Sequence, residues 1–232
     1  VTVLQGLRAY LGDEVKVNYA LGCGITSLFT DSIASAVEAA KNSDAVILVL
    51  GGTSQTLSGI GWGDENSKEL ATCGEGYDRN ELDFLGVQPQ LLEAVAATGK
   101  PIVLVMINGR PLTIGEEAKK VNAVVEAWYP GEKGGEAVAR VLFGEVNPSG
   151  RLSMTFPPTT GHIPLYAAQK PSARGFYKSP GTPENPGRDY VFAHPKPLFC
   201  FGHGLSYTTF EYKNMHIKEA GDVVRVSCEL AN

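Results

Sequence analysis

The sequence predicts an α/β fold, an α/β sandwich in which a mostly parallel sheet is flanked by helices on both faces. Apolar runs of strand length recur at residues 45–50 (AVILVL), 101–107 and 121–128, and helical patterns alternate with them. Continuous apolar strands are typical of parallel sheets that are covered on both faces. The alternation indicates right-handed crossover connections. With 232 residues, 43% of them hydrophobic, the chain is long enough to bury a full core.

The first elements precede the run at 45–50. Residues 1–10 have the pattern of an amphipathic helix, and residues 15–21 alternate apolar and polar side chains as a short strand does. Residues 31–41 predict a helix, with Asp31 as its N-cap.

Two further helices follow between the later strands. Residues 87–98 predict a helix that closes at Gly99, and residues 135–143 predict one that ends at Gly144. A glycine directly after a helix commonly adopts the left-handed conformation that ends it. Prolines and glycines are frequent over residues 148–197, which therefore predict a long irregular excursion with few regular elements.

The ends of the chain predict that it is part of a longer protein. No initiator methionine or apolar leader precedes the first helix. Residues 222–230 (DVVRVSCEL) alternate as a half-buried strand does, and a single strand is not stable alone. We therefore expect one domain over residues 1–209 and the beginning of a second, β-rich module over residues 210–232.

Composition narrows the functional classes. The net charge is -5 without a basic cluster, which argues against nucleic acid or an anionic membrane surface as a partner. The apolar runs are much shorter than the roughly 18 residues that a membrane span requires. The four cysteines and four histidines are scattered without metal-ligand spacing, so we expect no cofactor, no metal and no dense disulfide framework.

One long connection carries the candidate chemistry. About thirty residues separate the strand at 45–50 from the next helix, where two to six are usual, and such loops are commonly functional. Ligands of open α/β sheets bind at the carboxyl ends of the strands, where this loop begins. Within it, Glu75 lies between two glycines, Gly74 and Gly76, which allow the backbone to bring a carboxyl group close to a ligand. Glu75 is therefore a candidate proton donor.

Other chemistries fit less well. Residues 22–24 (GCG) lack the third glycine of a dinucleotide fingerprint, because Ser27 stands at its position. The glycines at 131–135 precede a helix but have no Ser or Thr beside Lys133, so a tight turn is the better interpretation. No GxSxG is present. Glycoside hydrolysis by two carboxylates remains, in which an acid protonates the leaving oxygen and a second carboxylate attacks the sugar.

The second carboxylate has no clear candidate in the sequence. Asp78 lies three residues from Glu75 but directly precedes Arg79, and the two are expected to form an ion pair that shapes the loop. We assign both a structural role near the site. Trp62 is a candidate aromatic platform for a sugar ring, although a buried structural role is an equal alternative.

Several separate segments resemble one family, the C-terminal α/β sandwich domain of glycoside hydrolase family 3 enzymes of the bacterial β-glucosidase and β-xylosidase type. The segments, which follow the family's order over nearly the whole chain, are residues 4–8 (LQGLR), 15–23 (VKVNYALGC), 45–52 (AVILVLGG), 74–79 (GEGYDR), 128–132 (WYPGE), 142–144 (LFG) with 147–152 (NPSGRL), and 201–210 (FGHGLSYTTF).

The resemblance implies a retaining, exo-acting β-glycosidase that hydrolyses terminal non-reducing β-linked glucose or xylose. In this family an aspartate nucleophile belongs to a preceding (β/α) barrel, and the sandwich domain supplies the general acid/base from the segment that matches residues 74–79. That match assigns the role to Glu75. It also implies a partner barrel outside this chain, an inactive isolated fragment, and a fibronectin type III-like module beginning at about residue 210.

The family's usual substrates are oligosaccharides and glycosides, and its usual location is extracellular or periplasmic. An alternative function is a non-catalytic domain that binds carbohydrate or supports a neighbouring domain.

Overall fold

A parallel three-stranded sheet forms the centre of the structure, a computed structural model that describes residues 1–54, 71–74, 76–168, 184 and 193–232. Its strands are β1 (Val46–Gly51), β2 (Ile102–Ile107) and β3 (Ala123–Glu126), in the order β1-β2-β3. Both pairings are parallel. The predicted parallel sheet is therefore confirmed.

Within the described ranges, four α-helices cover the two faces of this sheet. They are α1 (Val3–Leu11), α2 (Ile33–Lys41), α3 (Gln88–Ala96) and α4 (Gly134–Leu142). Apolar residues of α2 and α3 pack with one face of the sheet, and those of α1 and α4 pack with the other. In the central strand, Leu104, Val105 and Met106 are 0% exposed. The sheet is thus covered on both sides, as its continuous apolar strands predict.

Helices α1 and α4 approach each other at two glycines. A Cβ on Gly6 would lie 2.1 Å from the carbonyl oxygen of Gly135, and a Cβ on Gly135 would lie 2.0 Å from that of Thr2. Thr2 also begins α1 with a capping box, in which its hydroxyl accepts from the Gln5 amide. The absence of side chains at both glycines allows the backbones to touch.

The prediction of a strand at residues 15–21 is wrong. These residues form no ladder, and Val15, Tyr19 and Leu21 are 49%, 58% and 67% exposed. The Asn18 side chain instead donates 3.0 Å hydrogen bonds to the carbonyl of Asn42 and the hydroxyl of Ser43. Alternation gives a segment a tendency to be extended, but a strand also requires a neighbouring strand with free backbone groups.

The predicted N-cap of α2 is also displaced. Ser32, with a helical backbone conformation and no side-chain capping bond, occupies the N-cap position, so Asp31 lies one residue outside the helix. The remaining helices and strands begin and end within a few residues of their predicted positions.

An antiparallel hairpin follows the α/β part, formed by β4 (Glu211–Ala220) and β5 (Val223–Ala231). The strand predicted at 222–230 is confirmed, and β4 is an additional strand that the sequence analysis did not define. Apolar residues of the two strands face each other, as in the pair formed by Ile217 and Val226, yet every residue of the hairpin is exposed. No described helix has the length and apolar character needed to cross a bilayer.

Candidate functional site

The carboxyl ends of the three parallel strands meet at one edge of the sheet. β1 ends at Gly51, β2 is followed by Asn108, and β3 ends at Glu126. The amide of Gly52 continues the pairing beyond β1 by donating to the carbonyl of Ile107 at 2.9 Å. This is the edge at which open α/β sheets bind their ligands.

The segment that precedes Glu75 is attached to this edge. The Thr72 amide donates to the carbonyl of Thr53 at 2.6 Å, and the Thr53 amide donates to the Thr72 hydroxyl at 3.0 Å. A Cβ on Gly52 would lie 2.4 Å from that hydroxyl. A glycine at position 52 is therefore what lets residue 72 return to the end of β1.

Cys73 forms the next contact. Its side chain is buried, and its sulfur lies 2.6 Å from the hydroxyl oxygen of Tyr129, which follows β3. A Cβ on Gly109 would lie 2.7 Å from the Tyr129 ring and 2.9 Å from the Cys73 sulfur. Burial and the contact with Cys73 raise the pKa of Tyr129 to about 12, against weaker opposing effects of Ser54 and Arg110. Tyr129 is therefore a neutral phenol at ordinary pH.

The segment that follows Glu75 is attached through Tyr77. A guanidinium nitrogen of Arg110, Nη2, donates to the Tyr77 carbonyl at 2.8 Å, and the Tyr77 amide donates to the carbonyl of Gly74 at 3.2 Å. Gly74 and Gly76 are exposed and have φ angles of 119° and 81°. Residues with side chains rarely adopt such angles, so both glycines are needed for this backbone path.

Glu75 and Trp62 lie outside the described residues. The structure therefore gives the flanks of the proposed acid/base on both sides and leaves the assignments of Glu75 and Trp62 as predictions.

Arg79 does not pair with Asp78. Asp78 is exposed, and its carboxylate forms no ion pair with Arg79, whose Nη2 instead donates to the carbonyl of Asp83 at 2.5 Å. Burial and the positive charge of Arg110 lower the pKa of Arg79, and the carboxylates of Asp83 and Glu81 oppose that effect. The expected Asp78–Arg79 ion pair is therefore replaced by a contact that turns Arg79 toward Asp83.

A carboxyl group that the sequence analysis did not single out lies at the end of β3. Glu126 Oε1 accepts from the amide of Trp128 at 3.0 Å, and Trp128 has a left-handed backbone with φ 52°. Burial raises the pKa of Glu126 to about 7, an effect that the Trp128 amide and the Asn108 side chain oppose. The Asn108 amide group is near the carboxyl, but it does not reach hydrogen-bonding geometry with Oε2, which has no partner among the described residues.

Three buried polar atoms at this edge have no hydrogen-bond partner within the part of the chain that the structure describes. They are Glu126 Oε2, Asn108 Oδ1 and Arg110 Nε. Most buried polar atoms in proteins have a partner, so each exception needs an explanation. A proton on Glu126 would give its Oε2 a hydrogen to donate, and Asn108 Oδ1 is an acceptor without a donor. A charged residue at the end of an apolar run, as in 121–128, is the sequence signal for Glu126.

A metal is not indicated by the described side chains, among which no group of three or more His, Cys, Asp or Glu could hold an ion. The four cysteines are free thiols. His162 is buried, and its ring nitrogens contact the Thr159 hydroxyl at 2.8 Å and the His194 carbonyl at 3.0 Å. These contacts agree with a structural role for this histidine.

Sequence relatives of the chain are glycosidases. It is 42% identical to a "Beta-xylosidase" of Formosa agariphila over all of this chain and 29% of the relative. It is 36% identical to a "Periplasmic beta-glucosidase" of Salmonella typhimurium over 90% of this chain and 28% of the relative. The chain thus spans less than a third of the length of these curated relatives.

Solved structures give the same result. A β-glucosidase from Erythrobacter marinus matches 99% of this chain and 31% of its own, with a TM-score of 0.78 and 34% identity. A β-glucosidase from Listeria innocua, solved with isofagomine, matches 94% of this chain and 28% of its own, with a TM-score of 0.73 and 32% identity. The family model described as "Glycosyl hydrolase family 3 C-terminal domain" matches residues 1–207. The chain therefore belongs to the glycosyl hydrolase family 3 C-terminal domain family.

Proposed function

We propose that this chain is the α/β domain of a retaining, exo-acting β-glycosidase and that Glu75 is its general acid/base. The observation that carries the proposal is the attachment of both flanks of Glu75 to the carboxyl edge of the sheet. Cys73 is held by Tyr129 on one side, and Tyr77 is held by Arg110 on the other. Between these attachments, Gly74 and Gly76 are exposed.

Attached flanks with exposed glycines at positions 74 and 76 suit a proton donor that serves a partner domain. The sheet sets where the two flanks are attached, and the exposure of the two glycines leaves this part of the loop accessible to a substrate. In the first step Glu75 protonates the departing glycosidic oxygen while a carboxylate of the partner attacks the sugar. In the second step the Glu75 carboxylate removes a proton from the water that releases the sugar.

The remaining parts of the proposal concern the whole protein. Its partner domain is an N-terminal (β/α) barrel that supplies the aspartate nucleophile, and an isolated α/β domain is inactive because it lacks that group. The substrate is a terminal, non-reducing β-linked glucoside or xyloside, in line with relatives named β-glucosidase and β-xylosidase. The location is extracellular or periplasmic, in line with the relative named as periplasmic. The fibronectin type III-like module beginning near residue 210 belongs to the same proposal, supported by the hairpin β4–β5.

The decisive experiment is Glu75→Ala in the full-length enzyme, with Glu81→Ala as the matched control because Glu81 is an exposed glutamate of the same loop. General acid/base groups contribute about 10²–10⁴-fold, so kcat should fall by that order in Glu75→Ala and little in Glu81→Ala. Azide should restore turnover of an activated aryl glycoside, because azide attacks the glycosyl-enzyme without a base.

Unchanged turnover in Glu75→Ala would rule out the acid/base role. It would instead support the alternative, a domain that binds carbohydrate or supports the barrel without proton transfer.

A further inference from the structure

We propose that Tyr129 and Arg110 are positioning residues that clamp the Glu75 loop from its two sides and so determine the efficiency of proton transfer. This inference rests on the proposed function of Glu75. Neither residue is a catalytic residue, since each acts through a neighbour of Glu75.

The first contact of the clamp lies two residues before Glu75. The Tyr129 hydroxyl and the Cys73 sulfur are in direct contact, 2.6 Å apart. Gly109 packs against both groups, because a Cβ at this position would lie 2.7 Å from the Tyr129 ring and 2.9 Å from the Cys73 sulfur. Tyr129 itself follows Trp128, whose left-handed backbone is held by the Glu126 carboxyl group. The direction of the Tyr129 side chain is therefore set by the backbone conformation at the end of β3.

The second contact lies two residues after Glu75. Arg110 donates from Nη2 to the Tyr77 carbonyl at 2.8 Å, and its own carbonyl accepts from the Asn108 side chain at 2.8 Å. Asn108 is 2% exposed and follows β2 directly. A donor with formal charge makes a stronger bond to a carbonyl than a neutral donor does. The position of the Tyr77 backbone is therefore fixed relative to the end of β2.

Arg110 and Tyr129 each follow the end of a strand by three residues, and these two strands, β2 and β3, are adjacent and pair from Val103 and Ala123 to Met106 and Glu126. The sheet thus sets the distance between the two attachment points of the loop. The loop itself contains Gly74 and Gly76, whose backbones have positive φ angles. Glycine has no Cβ, so its backbone can adopt more conformations than that of other residues. Without the clamp, the glycines would let the carboxyl group spread over many positions, and misplacement by about 1 Å can cost on the order of 10²-fold in rate.

The test uses the leaving group of the substrate in the full-length enzyme. A dinitrophenolate departs without a proton, whereas a methyl or sugar leaving group requires one. In Tyr129→Phe and Arg110→Met, kcat/KM for a methyl glycoside or disaccharide should fall roughly 10- to 100-fold, and kcat/KM for the dinitrophenyl glycoside should change by less than about threefold. The double variant should approach the value of Glu75→Gln on the poor substrate.

Matched controls are Tyr166→Phe and Arg8→Met, which change exposed residues outside the clamp and should leave both substrates unaffected. Cys73→Ser keeps a partner for the Tyr129 hydroxyl and should retain more activity on the poor substrate than Cys73→Ala. Arg110→Lys should recover part of the loss in Arg110→Met, because it restores a charged donor. These conservative variants keep the test valid if Arg110→Met does not fold.

If Tyr129→Phe and Arg110→Met lose kcat/KM equally on both substrates, or lose it on neither, the proposed clamp is wrong. Glu75→Gln separates this failure from failure of the proposed function. If Glu75→Gln shows strong leaving-group dependence and the clamp variants do not, only the clamp is wrong. If Glu75→Gln shows none, the acid/base assignment and the clamp are both wrong.

Discussion

Strands β2 and β5 both contain several apolar side chains, yet these side chains have opposite environments. β2 (IVLVMI) has Leu104, Val105 and Met106 at 0% exposure, whereas all nine residues of β5 (VVRVSCELA) are exposed. β2 lies between two helical layers, and β5 pairs with β4 without a second layer among the described residues. The apolar residues Val224, Val226 and Leu230 of β5 are 57–62% exposed, so burial depends on what covers each face of a sheet as well as on the composition of the strand.

The ends of the two strands differ as well. β2 leads from an apolar interior into Asn108 and Arg110, two polar residues with buried atoms that have no hydrogen-bond partner in the described part of the chain. The hairpin has its ion pair and hydrogen bonds at exposed positions, such as Lys213 with Glu211. At the polar edge of a covered sheet, a hydrogen bond that is made or missed changes the free energy of folding more than it would at an exposed position.

The largest expected effect is in the covered strand. Leu104→Ala removes a side chain that is 0% exposed, and it should lower the free energy of unfolding by about 2–5 kcal/mol, from lost burial and the cavity left behind. Urea unfolding of the parent protein and the variant measures this difference in unfolding free energy. A loss below about 1 kcal/mol would contradict the rigid two-layer packing around β2.

Glu126→Gln tests the polar edge through pH. The pKa of Glu126 is raised from 4.5 to about 7, so the folded state binds the proton more tightly than the unfolded state. Its contribution is therefore present below pH 4.5 and is lost as the pH rises to about 7. At about 1.4 kcal/mol per pKa unit, the loss in unfolding free energy is at most ~3.5 kcal/mol. Glutamine stays neutral, so the variant should be more stable than the parent protein at pH 8. Thermal unfolding of both proteins from pH 4 to pH 9 measures this difference. Parallel curves for the two proteins would refute this role of Glu126.

Gly135→Ala tests the close packing of α1 against α4, the two helices that cover one face of the sheet. Its Cβ would lie 2.0 Å from the Thr2 carbonyl oxygen, so α1 and α4 would have to separate. We expect a net loss of about 2 kcal/mol in unfolding free energy, because overpacking exceeds the gain in helix propensity. Gly150→Ala is the control, since a Cβ there meets nothing within 4 Å. Equal stability of the two variants would show that the helices can move apart at little cost.

The smallest effect is expected in the hairpin. Leu230→Ala is the same substitution as Leu104→Ala, but Leu230 is 57% exposed. It should cost at most about 1 kcal/mol, from β-propensity and the cross-strand contact with Tyr212. A cost equal to that of Leu104→Ala would show that this chain covers the apolar face of the hairpin.

Sequence reasoning was most successful where a pattern is long and has one physical cause. The apolar runs became β1, β2 and β3, and Gly99 and Gly144 have left-handed φ angles of 72° and 76° after their helices. It failed at residues 15–21, where alternation had no partner strand, and at Asp31, where the helix began one residue later than the cap chemistry suggested.

The site was predicted in part. The glycines beside Glu75 and the carboxyl edge of the sheet follow from the sequence, whereas Arg110, Tyr129 and Glu126 were not identified. These residues lie 35 to 54 positions from Glu75 in the chain, and no local spacing relates them to the loop. Arg79 illustrates the same limit, since its partner is the Asp83 carbonyl and not the adjacent Asp78.

By itself, the sequence determined the layers of this protein, because apolar periodicity and glycine placement act through local backbone geometry and the burial of nearby side chains. Only the tertiary structure decided which polar groups meet at the end of the sheet, how the loop is held at Cys73 and Tyr77, and which carboxyl group has a raised pKa. Those properties depend on distances between segments that are remote in sequence and on how far water is excluded between them.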